Sequence, residues 1–227
     1  SRQLGVYFLL AVVFVAGLLL ALNQLAGLMG TATQEAQAVD FANNSISAVL
    51  REEPPQLDSS KATDSTSGLV LGHIMEGLLR MDLQDRLGPA IAERWEVMPT
   101  QATFWLRKDA KWSDGKTITA ADFIFAWQLA LKPETGSEYA SLLYPIENAE
   151  AINSGVLPAS ALGVSAPDPQ TLVVKLSRPT AFFDKLVVFP TFLPIREDFY
   201  NATQGRFGSD AKDLLYSGPY TVKSWVH

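Results

Sequence analysis

The sequence predicts a domain that mixes helices and strands, of the α/β or α+β class, preceded by one transmembrane helix. Three observations support this fold class. Residues 4–22 are continuously apolar, whereas every charged residue other than Arg2 lies at Glu35 or beyond. In the polar part, segments with apolar residues three and four apart indicate helices. They alternate with β-branched and aromatic runs bounded by turn residues, which indicate strands.

The N-terminal segment has the length of a bilayer span. The 19 residues from 4 to 22 would form a helix of about 28 Å, close to a hydrocarbon core of roughly 30 Å. Arg2 is the only flanking cation, so the positive-inside rule places the N-terminus in the cytoplasm. The alternative is a secretory signal cleaved after Ala36-Gln37-Ala38. We expect an uncleaved anchor, because signal segments are shorter and sit nearer their cleavage site.

Local patterns predict the first elements of the polar part. Residues 45–50 are predicted as a short strand. Residues 67–79 carry apolar side chains at helical spacing, and residues 63–67 supply N-cap candidates. Residues 103–107 are predicted as a strand, and Asp114-Gly115 as a tight turn.

The clearest predicted helix begins at a variant of the capping box. Thr119 is followed three residues later by Asp122, and Pro133 closes the apolar stretch that comes after them. The remaining predicted elements are a strand at residues 171–176, a helix at residues 179–188 and a last strand at residues 220–226.

The composition excludes several classes of protein. The 227 residues carry a net charge of −6, whereas nucleic-acid binders present basic patches that displace counterions. Because the chain has no cysteine, disulfides, a thiolate nucleophile, Cys-ligated zinc and a lipidated Cys are excluded. The sequence also contains no phosphate-binding loop and no nucleophile elbow. We therefore expect no nucleic-acid partner and no cofactor.

The sequence offers few candidate residues for a catalytic or metal site built from histidines and carboxylates. The only histidines are His73 and His227. His73 and Glu76 have a spacing that can place two ligands on one metal, but a single pair of this kind is more often a surface contact. Asp114 in the turn and Asp122 at the helix start have structural roles, which argues against a catalytic acid and base. We predict no metal site and no catalytic residue.

Three tryptophans lie close together in a strand-rich stretch. Trp95, Trp105 and Trp112 fall within eighteen residues and are predicted as core side chains. The alternative is that they line a concave ligand pocket. Composition alone does not choose between the two.

Several local strings occur in an order that is typical of one protein family. The most specific is LRKDAKWSDGK at residues 106–116. Glu76-Gly77-Leu78-Leu79 precedes it, and Tyr139-Ala140-Ser141 and Ser217-Gly218-Pro219-Tyr220 follow it. These strings resemble the extracytoplasmic oligopeptide- and dipeptide-binding proteins of ABC importers, solute-binding protein family 5. The string at Tyr139 is most similar to the oligopeptide-binding branch.

The resemblance implies a periplasmic-binding-protein-like lobe from a two-lobed receptor. The apolar segment separately assigns residues 1–34 to a transmembrane anchor, or uncleaved signal, and a tether. Residues 35–75 and 200–227 form the first part of lobe I, and residues 76–199 form an inserted subdomain typical of the peptide-binding branch. Family members are longer than this chain, so we expect the second lobe to be absent from it and the chain to be the N-terminal part of a longer protein.

The resemblance also implies a function. Two lobes would close on an oligopeptide and deliver it to the permease subunits of an ABC importer, with no covalent chemistry. Thr63, Asp64 and Ser65 resemble the loop that contacts the peptide backbone, and Tyr139 resembles an aromatic residue that lines the site. The same loop is predicted from its residue types as a helix cap, and the two roles are compatible.

Two other functions remain open. The retained N-terminal segment suggests an accessory or structural subunit of another membrane complex, held through residues 4–22. Peptidase or glycosidase activity is the weakest hypothesis, because His73 is the only interior histidine. We expect a non-enzymatic, single-pass protein of the inner (cytoplasmic) membrane whose main domain is periplasmic or extracytoplasmic.

Overall fold

The structure is a computed structural model that describes residues 52–226 continuously and, ahead of them, residues 7, 14–18, 20, 24, 39–40, 42, 45–46 and 49–50. The chain divides into two units, Ser1–Leu50 and Arg51–His227. In the first unit, β1 (Val39–Asp40) pairs antiparallel with β2 (Ser45–Ile46). β2 is the start of the strand predicted over residues 45–50, whereas residues 49–50 are irregular.

The predicted membrane span lies largely outside the described residues. Within residues 4–22, the described positions 7, 14–18 and 20 are helical. The side chains of Tyr7 and Phe14 are 70% and 71% exposed. Among the residues that the structure describes, no helix combines the length and the apolar character needed to cross a membrane.

An antiparallel sheet forms the centre of the second unit. The strands are β3 (Leu79–Met81), β4 (Leu87–Pro89), β5 (Ala92–Met98), β6 (Gln101–Leu106), β7 (Val164–Asp168) and β8 (Thr171–Lys175). β3 and β4 form a separate hairpin, and the sheet has the order β5-β6-β8-β7. Phe104 and Leu172 are partners across β6 and β8, and both are fully buried. The strands predicted over residues 103–107 and 171–176 are confirmed.

Helices of unequal length complete the second unit. They are α1 (Ser65–Ile74), α2 (Ala120–Leu131), α3 (Ala149–Asn153), α4 (Phe183–Leu186) and α5 (Glu197–Ala202). The backbone N–H of Thr119 donates to the Asp122 carboxylate at 2.8 Å, which confirms the predicted start of α2. On the buried face of α2, the indole N–H of Trp127 donates to the carbonyl of Phe192 at 3.0 Å. α2 is therefore fixed both at its start and along its length.

The tryptophans divide between the core and its margin. Trp112 is 2% exposed, and its indole N–H donates to the Asp122 carboxylate at 3.3 Å, so the core prediction is confirmed for this residue. Trp95 and Trp105 are half-buried. The outer face of Trp105 carries the guanidinium of Arg94, 3.4 Å from the ring centroid, in a cation–π contact.

The helix predicted over residues 67–79 is shorter than expected. α1 ends at Ile74, and β3 begins at Leu79. The intervening backbone pairs with other elements instead: Gly218 donates to the carbonyl of Ile74 at 2.9 Å, and Ile91 donates to that of Gly77 at 3.0 Å. Long-range hydrogen bonds thus replace the helical ones that the apolar spacing predicted.

Two further predictions were wrong in part or in full. The helix predicted over residues 179–188 contains only the single turn α4, in which Phe183 packs against Phe104 and Phe192. The strand predicted over residues 220–226 is absent, and this segment is irregular. A strand needs a neighbouring strand for its hydrogen bonds, and none of the ladders in the described part of the chain includes these residues.

Candidate ligand-binding site

The loop predicted to contact a ligand lies at the start of α1. Asp64 is the N-cap, and its carboxylate accepts from the backbone N–H of Ser67 at 2.7 Å. Burial acts to raise the pKa of Asp64, but hydrogen bonds from Ser67 and from the backbone of Asp64 and Thr66 together outweigh it and hold the pKa below its ordinary value. Thr63 and Ser65 on either side are exposed. The predicted capping role is therefore observed, and both neighbours of the cap remain accessible to a ligand.

Tyr139 lies against this loop. Its hydroxyl is 3.5 Å from the backbone carbonyl of Thr63. Its ring packs edge to face on Phe189, with centroids 5.8 Å apart and an interplanar angle of 79°. Tyr139 is 38% exposed and Phe189 45% exposed, so the pair presents aromatic surface to solvent. We call Thr63, Asp64, Ser65, Tyr139 and Phe189 the Tyr139 edge.

The structure thus brings all four predicted site residues together. Phe189 was not predicted as a site residue. Its position in the string Phe189-Pro190-Thr191-Phe192 is the only sequence signal that could have indicated it. The contact between Tyr139 and Phe189 becomes visible only in the folded chain.

A cleft of about 610 Å³ lies at the other end of α1. Val188 and Pro190, which flank Phe189 in the chain, line it, so the cleft adjoins the Tyr139 edge. We call it the α1 cleft. Its lining residues are Gly72, Met75, Glu76, Gly77, Leu79, Arg80, Arg107, Lys111, Val188, Pro190, Leu193, Ser217, Gly218 and Pro219.

An ion pair forms one wall of the α1 cleft. The Arg107 guanidinium donates to the Glu76 carboxylate at 2.6 Å and to the backbone carbonyl of Ala90 at 2.9 Å. The backbone N–H of Glu76 in turn donates to the hydroxyl of Ser217 at 2.9 Å. Because the Arg107 guanidinium has two partners and the Glu76 backbone is tied to Ser217, this wall is held in one geometry.

The structure gives Glu76 a different role from the one weighed in the sequence. Glu76 pairs with Arg107, whereas Nδ1 of His73 lies 2.7 Å from the backbone carbonyl of Leu69 on the same helix. The described part of the chain contains no group of three or more potential metal-ligating side chains. Asp114 pairs with Arg196 at 2.7 Å, and Asp122 caps α2, in agreement with their predicted structural roles.

The comparisons with known proteins identify the family to which this chain belongs. Residues 86–227 match the family of bacterial extracellular solute-binding proteins, family 5 Middle. The chain belongs to this family. Its fold is the mixed α/β fold of periplasmic binding proteins.

Two curated relatives illustrate the similarity. The chain is 38% identical over 180 residues to the periplasmic oligopeptide-binding protein OppA of Escherichia coli (strain K12), covering 77% of this chain and 32% of that protein. It is 35% identical over 178 residues to the probable deoxycholate-binding periplasmic protein YgiS of the same strain, covering 77% of this chain and 33% of that protein. The chain spans about a third of the length of these curated relatives.

A solved structure shows the same fold. The substrate-binding domain of an oligopeptide ABC transporter from Bacillus anthracis str. Ames superposes with a TM-score of 0.78 at 42% sequence identity. The match covers 79% of this chain and 35% of that domain.

Proposed function

We propose that the chain is the N-terminal part of a membrane-anchored, extracytoplasmic protein that binds oligopeptides for an ABC importer. The observation that carries this proposal is the Tyr139 edge, where a backbone loop and an aromatic pair lie together on an accessible surface. The similarity to OppA supports oligopeptides as the ligand class.

The Tyr139 edge fits a sequence-tolerant mode of peptide binding. Thr63 and Ser65 are exposed beside the cap, so their backbone and hydroxyl groups can bond to a peptide backbone as to an added strand. The rings of Tyr139 and Phe189 offer a flat apolar surface to a side chain of the peptide, whatever its identity. Main-chain groups are common to all peptides, so recognition of this kind tolerates many sequences.

The remaining features of the proposal concern the whole protein. A second lobe would complete the site, and closure of the two lobes would capture the ligand. The proposed role is binding and delivery to permease subunits, with no catalytic residue and no cofactor. Residues 35–75 and 200–227 would belong to lobe I, and residues 76–199 to the inserted subdomain.

The N-terminal segment completes the proposed arrangement. Residues 4–22 would anchor the protein in the cytoplasmic membrane, with the N-terminus in the cytoplasm and the binding domain outside. The support is the uninterrupted apolar run and the single flanking cation at Arg2. Mass spectrometry of the mature N-terminus tests this part, since a start at Val39 would show cleavage after Ala38 instead.

Isothermal titration of the full-length protein with peptides of about two to six residues tests the ligand class. We expect Tyr139→Ala to weaken the binding of every peptide that binds the wild type. Phe182→Ala is the matched control, because Phe182 is a 55% exposed aromatic residue outside the Tyr139 edge. If no peptide binds the wild-type protein, or if the two variants behave alike, the proposal is wrong.

A further inference from the structure

The α1 cleft has an unusual charge for this protein. Its lining contains three cations, Arg80, Arg107 and Lys111, against the single carboxylate of Glu76. The chain as a whole has a net charge of −6. A cationic cleft in an acidic protein concentrates anions at that place.

Two of the three cations are not neutralised. Arg107 is paired with Glu76. Lys111 donates to the neutral hydroxyl of Thr117 at 2.9 Å, and Arg80 is exposed on β3. Within residues 52–226, no carboxylate lies within 4 Å of the charged groups of Arg80 or Lys111. Both cations can therefore bind an external anion without breaking an ion pair.

Part of the cleft lining is apolar. Its apolar lining comes from Met75, Leu79, Val188, Pro190, Leu193 and Pro219. The volume of about 610 Å³ falls in the range of roughly 300–1,000 Å³ that is typical of small-molecule sites. A small inorganic anion would leave most of this surface in water, whereas an anion with an apolar body would cover it.

We propose that the α1 cleft is a second binding site, for a monocarboxylate with an apolar body. The carboxylate lies between Arg80 and Lys111, and the apolar body packs against the wall formed by Val188, Pro190 and Leu193. The Arg107–Glu76 pair holds the cleft open and does not bind the anion itself. This site goes beyond the proposed peptide function, because it uses none of the residues of the Tyr139 edge.

Octanoate is the probe, titrated calorimetrically into the full chain. Arg80→Gln and Lys111→Gln should each weaken its binding by about three- to tenfold, the effect of losing one charge-assisted hydrogen bond in a half-open cleft. Lys175→Gln is the control, since Lys175 is exposed on β8 and does not line the cleft. Tyr139→Ala should also leave octanoate binding unchanged, which separates this site from the peptide site.

Two glycines of α1 supply a matched pair for blocking the cleft. Gly72 lines the cleft and Gly68 does not, although neither has an atom within 4 Å of its added Cβ. Gly72→Leu should weaken octanoate binding by placing a side chain in the cleft, whereas Gly68→Leu should leave it unchanged. Both changes replace glycine with a better helix former, and a melting temperature for each variant checks that it is folded.

Three results would overturn the proposal. The first is octanoate binding that survives both Gly72→Leu and the double change of Arg80 and Lys111 to Gln. The second is inorganic phosphate or octyltrimethylammonium binding as tightly as octanoate. The third is no octanoate binding to the wild-type chain. None of these three results decides whether peptides bind at the Tyr139 edge, which the peptide titration measures separately.

Discussion

The hydroxyl of Tyr139 lies 3.5 Å from the backbone carbonyl of Thr63, although 76 residues separate them in the chain. Tyr139 immediately precedes a short 3-10 helix, Ala140–Leu143, and Thr63 immediately precedes the N-cap of α1. The contact therefore joins two element ends, and Phe189 packs edge to face with the tyrosine ring. Element ends of this kind present backbone groups to solvent, and ligands bind such groups.

We expect Arg107→Lys to destabilise the fold. Arg107 donates from Nε to the carbonyl of Ala90 and from a terminal nitrogen to Glu76. A lysine ammonium is a single point and does not reproduce both bonds. The expected loss is about 1–2 kcal/mol in the free energy of unfolding, measured by urea denaturation.

The control for this prediction is Arg86→Lys. Arg86 pairs with Asp82 in the β3–β4 hairpin, and the two side chains are 73% and 39% exposed. Exposed pairs contribute little, so we expect a change below about 0.5 kcal/mol. Equal losses in the two variants would contradict the structural role of the Arg107–Glu76 pair.

Asp122 should tolerate asparagine better than alanine. Its carboxylate accepts from the backbone N–H of Thr119 at 2.8 Å and from the indole of Trp112 at 3.3 Å. Asp122→Ala leaves both donors without this acceptor and should cost about 1–3 kcal/mol. Asp122→Asn keeps an acceptor oxygen, so its melting temperature should lie between those of the wild type and Asp122→Ala. An alanine variant as stable as the asparagine variant would show that the cap contributes nothing.

The contributions of Asp198 and Asp58 to folding stability should change with pH in opposite directions. Hydrogen bonds from Lys116 and then Arg196 lower the pKa of Asp198 from 3.8 to about 2. Its stabilising contribution is therefore present above pH 3.8 and lost as the pH falls toward 2. Burial raises the pKa of Asp58 above 3.8, against the opposing hydrogen bonds from Ser60. The charged form of Asp58 is thus disfavoured in the fold, and this destabilisation grows as the pH rises above 3.8.

The two asparagine variants separate these contributions. The difference in melting temperature between Asp58→Asn and the wild type should become more positive from pH 4 upward, until the pH passes the pKa of Asp58 in the fold. The difference for Asp198→Asn should be negative at neutral pH and should shrink as the pH falls from about 4 toward 2. Thermal scans from about pH 2 to 7 check both slopes, and parallel curves for the two variants would contradict the assigned causes.

Gly218 is required where the segment after α5 passes the end of α1. A Cβ added there would lie 2.7 Å from the backbone carbon of Ile74 and the backbone nitrogen of Met75. Gly218→Ala should therefore destabilise the fold by about 1–3 kcal/mol. Gly88→Ala in β4 is the control, because nothing lies within 4 Å of its added Cβ. If both variants unfold at the same urea concentration, the close approach is not a constraint.

Local signals were sufficient to predict the best-defined elements. The Thr119 and Asp122 spacing predicted the start of α2, because a capping box is formed by residues within one turn. The prediction of a tight turn at Asp114-Gly115 was also correct. Gly115 adopts a φ of +87°, which glycine accommodates readily. For the candidate site, the resemblance supplied Thr63, Asp64, Ser65 and Tyr139, and the structure shows that these residues are neighbours.

Features that depend on long-range contacts were not predictable from local patterns. The early end of α1 depends on a hydrogen bond from Gly218, and the Arg107–Glu76 pair joins residues 31 apart in sequence. The last strand was predicted from the local sequence after Gly218-Pro219, although a strand also requires a partner. Local patterns could not predict the α1 cleft either, because its walls come from four separate parts of the chain.

Hydrogen–deuterium exchange of the full-length protein with and without a bound peptide tests the central claim most directly. If the peptide adds as a strand along the Tyr139 edge, the backbone amides of residues 63–65 should exchange more slowly in its presence. The amides of β4, in the separate hairpin, should be unchanged. Slower exchange confined to other segments, with residues 63–65 unaffected, would contradict the assignment of the Tyr139 edge as the peptide-binding surface.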